Sequence, residues 1–183
     1  MTDDLTTVLA EITGVTEKVD RDQVDGLVAR LVAAPRVFVT GEGRSGLMGK
    51  AFAMRLMHLG LTVYVMGETI TPAVKDGDLV VAISGSGKTG GTVRAAESAR
   101  SAGAGVHAVT TDPSSPLGNE ADQALVLPAA TKYRRPDEAP TIQPLSSLFD
   151  QVTHIALDVV CLEIARRRDV DNEKARASHS NTE

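Results

Sequence analysis

Tryptophan is absent from this chain of 183 residues, which has two tyrosines, three phenylalanines and one cysteine. The lone Cys161 lies inside an apolar segment with no partner, so a disulfide framework is excluded and a reducing compartment, the cytoplasm, is expected. Positive charge is also short. The net charge is -5, whereas a nucleic-acid surface wants a basic patch and stacking aromatic platforms, so no nucleic-acid partner is expected. No apolar run is long enough to cross a bilayer, and the start MTDDLTTVLAEITGV has neither a basic lead nor an apolar signal core. Membrane and secretion are set aside. A chain of this length buries a core without staples, which predicts a single domain over 1–183.

Glycine and apolar periodicity supply the organisation. Leu5, Val8, Leu9, Ile12 and Val15, then Val24, Leu27, Val28, Leu31 and Val32, recur at helical spacing and predict two helices in an N-terminal lead-in over 1–34. After Pro35, Arg36 to Thr40 reads as a strand, Gly41 to Gly46 as a glycine loop, and LMGKAFAMRLMHLG as a helix that stops at Gly60. The order repeats with strands at Leu61 to Met66 and Asp78 to Ile83, a loop at 84 to 90, a helix from Gly91 to Ala102, and strands at Gly105 to Val109 and Ala124 to Leu127. Such alternation implies βαβ units: an α/β three-layer sandwich with a central parallel sheet, Rossmann-like or flavodoxin-like. In that architecture ligands bind outside the carboxyl ends of the strands, where both glycine loops fall.

The stretch Thr131 to Pro144, rich in proline and charge, reads as an irregular, flexible cover for the site. A long helix over 145–168 follows, then a tail, 169–183, that composition marks as frayed. Leu148, Val152, Ile155, Val159 and Leu162 occupy one side of that helix, with Phe149, Ala156, Val160 and Ile164 on much of the rest. A helix apolar around most of its circumference is buried. A sheet covers one face, so the other is expected against a second subunit in a homo-oligomer, a dimer or tetramer.

Three readings compete for the glycine loops. Gly87-Lys88-Thr89 ends like a nucleotide-triphosphate loop, but the first glycine of that motif would fall on Ala82, inside a strand, and the clearest later acidic strand end is Thr111-Asp112 before Pro113. Gly41-Glu42-Gly43-Arg44-Ser45-Gly46 matches the dinucleotide pattern G-x-G-x-x-G in full, with Glu68 placed for a ribose, yet no length remains for a separate substrate domain. The serine loop is also left unexplained. The third reading uses both loops. Ser84, Ser86 and Thr89, with Gly85 and the backbone N–H groups, cradle a phosphate monoester ahead of a helix N-terminus, Lys88 adds charge, and Gly43, Arg44 and Ser45 face a sugar across the crevice. Tight turns would explain the glycines but not the hydroxyl and cationic groups packed between Ser84 and Thr89.

With both loops placed, the chain resembles the SIS (sugar isomerase) domain family, and within it the 6-phospho-3-hexuloisomerases. The matching segments are GEGRSG at 41–46, AMRLMHLG at 53–60, GETITP at 67–72, GDLVVAISGSGKT at 77–89 and SHSN at 178–181, so the resemblance spans nearly the whole chain. It implies a metal-free isomerisation without a cofactor, turning D-arabino-3-hexulose 6-phosphate into fructose 6-phosphate through a cis-enediol in the ribulose monophosphate route. It also implies a pathway partner, 3-hexulose-6-phosphate synthase. A phosphosugar-binding module without turnover, or an isomerase of another phosphosugar, is the alternative.

The family carries a glutamate after Ser-Leu-Phe, where this chain has Asp150, one methylene shorter; a misplacement of about 1 Å can cost on the order of a hundredfold in rate. The base is therefore Asp150 or Glu68. Asp150 also suits the first turn of a helix for its dipole alone. His179 corresponds to the family's terminal histidine, which reaches a site, its own or a neighbour's, although Ser178 stands where the family has arginine. His58 suits the end of a helix, and His107, in a strand, reads as structural. His154 shares a helix face with Asp150 and Asp158, a row that makes ion pairs more readily than a metal site.

Overall fold

The computed structural model describes residues 3–136 and 138–181. Five strands, β1 (Val37–Gly41), β2 (Val63–Val65), β3 (Leu79–Ile83), β4 (Gly105–Thr110) and β5 (Gln123–Val126), form one sheet in the order β2-β1-β3-β4-β5. Every pairing is parallel, and Gly41 lies opposite Ile83, so β1 and β3 end level. This is the flavodoxin-like order, whose switch point lies between β1 and β3.

Alternation along the strands splits the core into two layers. Val39, Val81, Ile83, Val109 and Leu125 face one side, where they meet the helices α1 (Asp4–Thr16), α2 (Arg21–Ala33), α3 (Gly43–His58) and α6 (Ser147–Arg167). Phe38, Val80, Ala82, Val106 and Ala108 face the other, under α4 (Gly90–Ser101) and the short α5 (Pro116–Glu120). β3 is buried along its whole length, as a central parallel strand covered on both faces must be. The predicted strands and long helices are all present, with ends shifted by one or two residues except at the start of α3, which lies four residues earlier.

Three local features differ from the expectation. The segment 41–46 is not a loop: α3 begins at Gly43, which puts Arg44 and Ser45 in its first turn. The close approach requires a glycine, since a Cβ on Gly46 would come 2.6 Å from the carbonyl oxygen of Gly41. Within the tail, a helix α7 (Asn172–Ala177) forms, capped by the Asp171 side chain on the Lys174 N–H. The apolar girth of α6 is explained mostly within the chain, because α1, α2 and α3 flank it. Only the narrow stripe Ile155, Val159 and Leu162 stays exposed.

The segment after β5 is braced rather than loose. Arg134 donates to the carbonyls of Thr131, Gln143 and Leu145. Arg135 bonds Glu138, Asp112 and Thr111, and Glu11 of α1 accepts from Thr141, Ile142 and Gln143. Burial would raise the Glu11 carboxyl, but these donors hold it below the ordinary range. Among the described residues, no helix is long and apolar enough to cross a membrane.

Candidate functional site

Level strand ends at the switch point leave a crevice, because α3 leaves β1 toward one face of the sheet and α4 leaves β3 toward the other. It holds a cavity of about 340 Å³. Glu42, Gly43, Arg44 and Ser45 border it from the start of α3, and Ser84, Gly85, Ser86 and Thr89 border it from the loop after β3. Lys132, Leu145, Ser146 and Asp150 close it from the two ends of the braced segment and the first turn of α6.

The serine loop is held stiffly. Ser84 and Thr89 share a hydroxyl–hydroxyl hydrogen bond of 2.8 Å, Gly87 N–H donates to the Ser84 carbonyl at 3.0 Å, and the Thr111 N–H and hydroxyl both donate to the Gly85 carbonyl, at 3.1 and 2.8 Å. Leu117 N–H donates to the Gly87 carbonyl at 2.9 Å. The carbonyls of Ser84, Gly85 and Gly87 are thus taken up within the protein. Thr89 is the N-cap of α4 yet makes no cap bond through its side chain, so the first N–H groups of that helix stay available for an anion.

Asp150 comes to this loop through a close contact behind it. The Phe149 ring packs so tightly on Gly85 that an added Cβ there would lie 2.9 Å from it, which draws the start of α6 against the loop. The Asp150 carboxylate is 2 % exposed and accepts from Arg44 Nε at 2.9 Å and from Ser45 Oγ at 3.0 Å. Both oxygens are engaged. Burial of a carboxylate is costly unless it is paired and hydrogen-bonded, and these two donors meet that condition.

Three of the residues singled out from the sequence lie elsewhere. Glu68 pairs with Lys50 at 3.2 Å in a separate groove of about 300 Å³ beside the edge strand β2. Two residues in a turn, Met66 and Gly67, separate it from β2 and carry it past the cavity. Lys88 is exposed and does not border the cavity; its N–H donates to Ser86 Oγ at 3.2 Å. His179 stacks on His58, with ring centroids 5.2 Å apart and planes 21° apart. His58 ends α3 while the cavity lies at its start, a separation on the order of 20 Å at helical rise. Burial first, then the nearby charges of Arg55 and His179, push the His58 imidazole below its usual value. His154 is exposed and pairs with Asp158 at 3.6 Å, while Asp150 faces inward, so the row of three is divided.

Glu42 and Lys132 were not anticipated as site residues. Glu42 occupies a variable position of the glycine motif, and only the early start of α3 turns it toward the cavity. Lys132 lies in an aperiodic stretch that carries no directional signal. Its N–H donates to Ser146 Oγ at 3.1 Å, which ties the stretch to the start of α6.

The SIS domain family model matches residues 30–155. The chain is 43% identical over 183 residues to a Mycobacterium gastri protein named 3-hexulose-6-phosphate isomerase, covering 100% of this chain and 92% of that one. It is 36% identical over 176 residues to a Bacillus subtilis protein of the same name, covering 96% and 95%. Among solved structures, a Methanococcus jannaschii protein, for which a molecular function of 3-hexulose-6-phosphate isomerase was inferred, matches with a TM-score of 0.87 at 30% identity over 100% of both chains.

Proposed function

From the chain's membership of the SIS domain family, we propose that it is a 6-phospho-3-hexuloisomerase, converting D-arabino-3-hexulose 6-phosphate to fructose 6-phosphate. The observation that carries this reading is the full-length likeness to relatives of that named activity. The cavity gives the chemistry a place. Ser84, Ser86 and Thr89, with the N–H groups opening α4, hold the phosphate, and the sugar then extends toward Arg44, Ser45 and Asp150.

The reaction moves a carbonyl from C3 to C2. A base takes the C2 proton, the electron pair forms the 2,3-enediol, and the proton returns to C3 while the O2 hydroxyl proton passes to O3. Asp150 is the base in this assignment, because it is the buried carboxylate facing the cavity and Arg44 and Ser45 fix its orientation. Glu68 sits in the wrong groove for the task. Lys132, at the rim, adds positive charge toward an anionic ligand.

His179 cannot reach the cavity of its own chain from its seat on His58, so the proton traffic between O2 and O3 is assigned to His179 of a neighbouring subunit in a homo-oligomer. The exposed stripe of α6 and the exposed Leu47, Met54 and Met57 of α3 support such an assembly. The same reading places the enzyme in the cytoplasm beside a 3-hexulose-6-phosphate synthase that supplies its substrate.

Incubation with enzymatically made D-arabino-3-hexulose 6-phosphate, following fructose 6-phosphate through a coupled NADPH signal, tests the activity. Turnover by the wild type is expected. A thermal shift with fructose 6-phosphate but no turnover would leave a phosphosugar-binding module instead.

A further inference from the structure

Two carboxylates border the cavity, Glu42 and Asp150, and their circumstances differ. Asp150 has both oxygens engaged. The Glu42 side chain makes no hydrogen bond or ion pair among the described residues, and it does not cap its own helix. It reaches across the crevice from the end of β1 to the first turn of α4: a Cβ on Gly91 would come within 1.9 Å of Glu42 Oε1. The Arg94 guanidinium approaches the same turn, 3.1 Å from a Cβ built on Gly90 and 3.9 Å from one built on Gly91. Since Thr89 spends its hydroxyl on Ser84, the carboxylate beside this uncapped turn is that of Glu42.

A helix N-terminus favours whichever anion is nearest, and two anions cannot share it without repulsion. We propose that Glu42 sets the affinity of the site: in the empty cavity its carboxylate stands beside the first turn of α4, against Gly91, and a phosphosugar binds by displacing it. The inference rests on the assignment of the phosphate to the Ser84–Thr89 loop. Displacement is cheap enough to permit binding, because Glu42 is exposed and swings about its own side-chain bonds. Its effect falls on the phosphate end, so it is the same for any ligand that carries that group and nil for a neutral sugar. A site that must expel its own anion also lets product leave faster, which matters where release limits turnover.

Calorimetric titration with inorganic phosphate and with fructose 6-phosphate tests this in the wild type, Glu42→Gln and Glu42→Ser, the last supplying a good N-cap for α3 so that the fold is kept. Both variants are expected to bind both ligands more tightly by a common factor of roughly 2- to 30-fold, the range spanned by a helix-terminal charge. The amide resonances of Gly90 and Gly91 in the ligand-free protein are expected to move with either substitution. Unchanged or weaker binding would overturn the proposal, as would a hundredfold loss of kcat at constant affinity, which would make Glu42 a proton carrier. Ser84→Ala with Ser86→Ala separates the two levels. If that double variant loses affinity while Glu42→Gln changes nothing, the Glu42 role alone fails; if it binds like the wild type, the phosphate assignment fails and this inference with it.

Discussion

Asp150 and His107 are both buried polar side chains with opposite solutions to burial. Asp150 is satisfied by Arg44 and Ser45, and loss of the base role proposed for it should be felt in chemistry and not in binding. Asp150→Asn is expected to lower kcat by on the order of a hundredfold to ten-thousandfold while the affinity for fructose 6-phosphate stays near the wild-type value; steady-state kinetics beside calorimetry would show it. His107, in β4, has no partner for either ring nitrogen among the described residues. Burial first, and then the Arg30 charge, push its imidazole from 6.5 down to about 3, with Asp122 pulling weakly the other way. The folded chain therefore keeps His107 neutral, whereas the unfolded chain takes up a proton as pH falls below about 6.5. Unfolding binds the extra proton between those two values, so this group makes stability decline from pH 6.5 toward 3, by up to about 1.4 kcal/mol per pH unit. Urea denaturation of His107→Leu at pH 7 and pH 4.5 should show a smaller acid loss than the wild type.

The serine loop and the first turn of α6 come from distant parts of the chain and meet through the contact of Gly85 with Phe149. That contact sets how far Asp150 projects toward the ligand. Gly85→Ala would force Phe149 outward, because a Cβ 2.9 Å from a ring carbon must displace one of them. Overpacking of this kind costs typically about 1–3 kcal/mol. The larger effect should be on catalysis: kcat/KM is expected to fall by roughly a hundredfold through a shift of about 1 Å at Asp150. Kinetics with parallel denaturation curves would separate the two. The braced segment after β5 acts in the same direction. Arg134 and Arg135 convert a proline-rich stretch into a fixed wall that carries Lys132 and Ser146 to the rim.

For the whole molecule, the decisive feature is the distance between His179 and the cavity of its own chain. If neighbouring subunits complete each other's sites, Asp150→Asn and His179→Ala are each inactive alone but complementary when mixed. Unfolding and refolding the two together is expected to recover up to about a quarter of wild-type activity, as random pairing in a two-fold oligomer would give. Full activity of His179→Ala alone would place His179 outside the chemistry, and two inactive variants that fail to complement would overturn the exchange of His179 between subunits. The apolar stripe Ile155, Val159 and Leu162 on α6 offers an independent check. Leu162→Asp should reduce the particle mass measured by light scattering, with activity falling in step.

The alternation of strands, glycines and helices was readable from residue order, because burial of a parallel sheet imposes periods of two and 3.6 on neighbouring residues. So was the serine loop, whose hydroxyls, glycines and helix start are contiguous. The partners of that loop were not. Glu68 and Asp150 were equivalent as acids in the sequence, and packing alone separated them: the Phe149 contact brings one into the cavity, while the turn after β2 carries the other past it. The start of α3 at Gly43 brought in Glu42, the exposure of Lys88 took a cation out, and the stack on His58 removed His179 to the opposite end of a helix. Local pattern reports what a residue's neighbours require. Which side chains converge on a site depends on how elements far apart in the chain dock, and that is decided by tertiary contacts that no local period records.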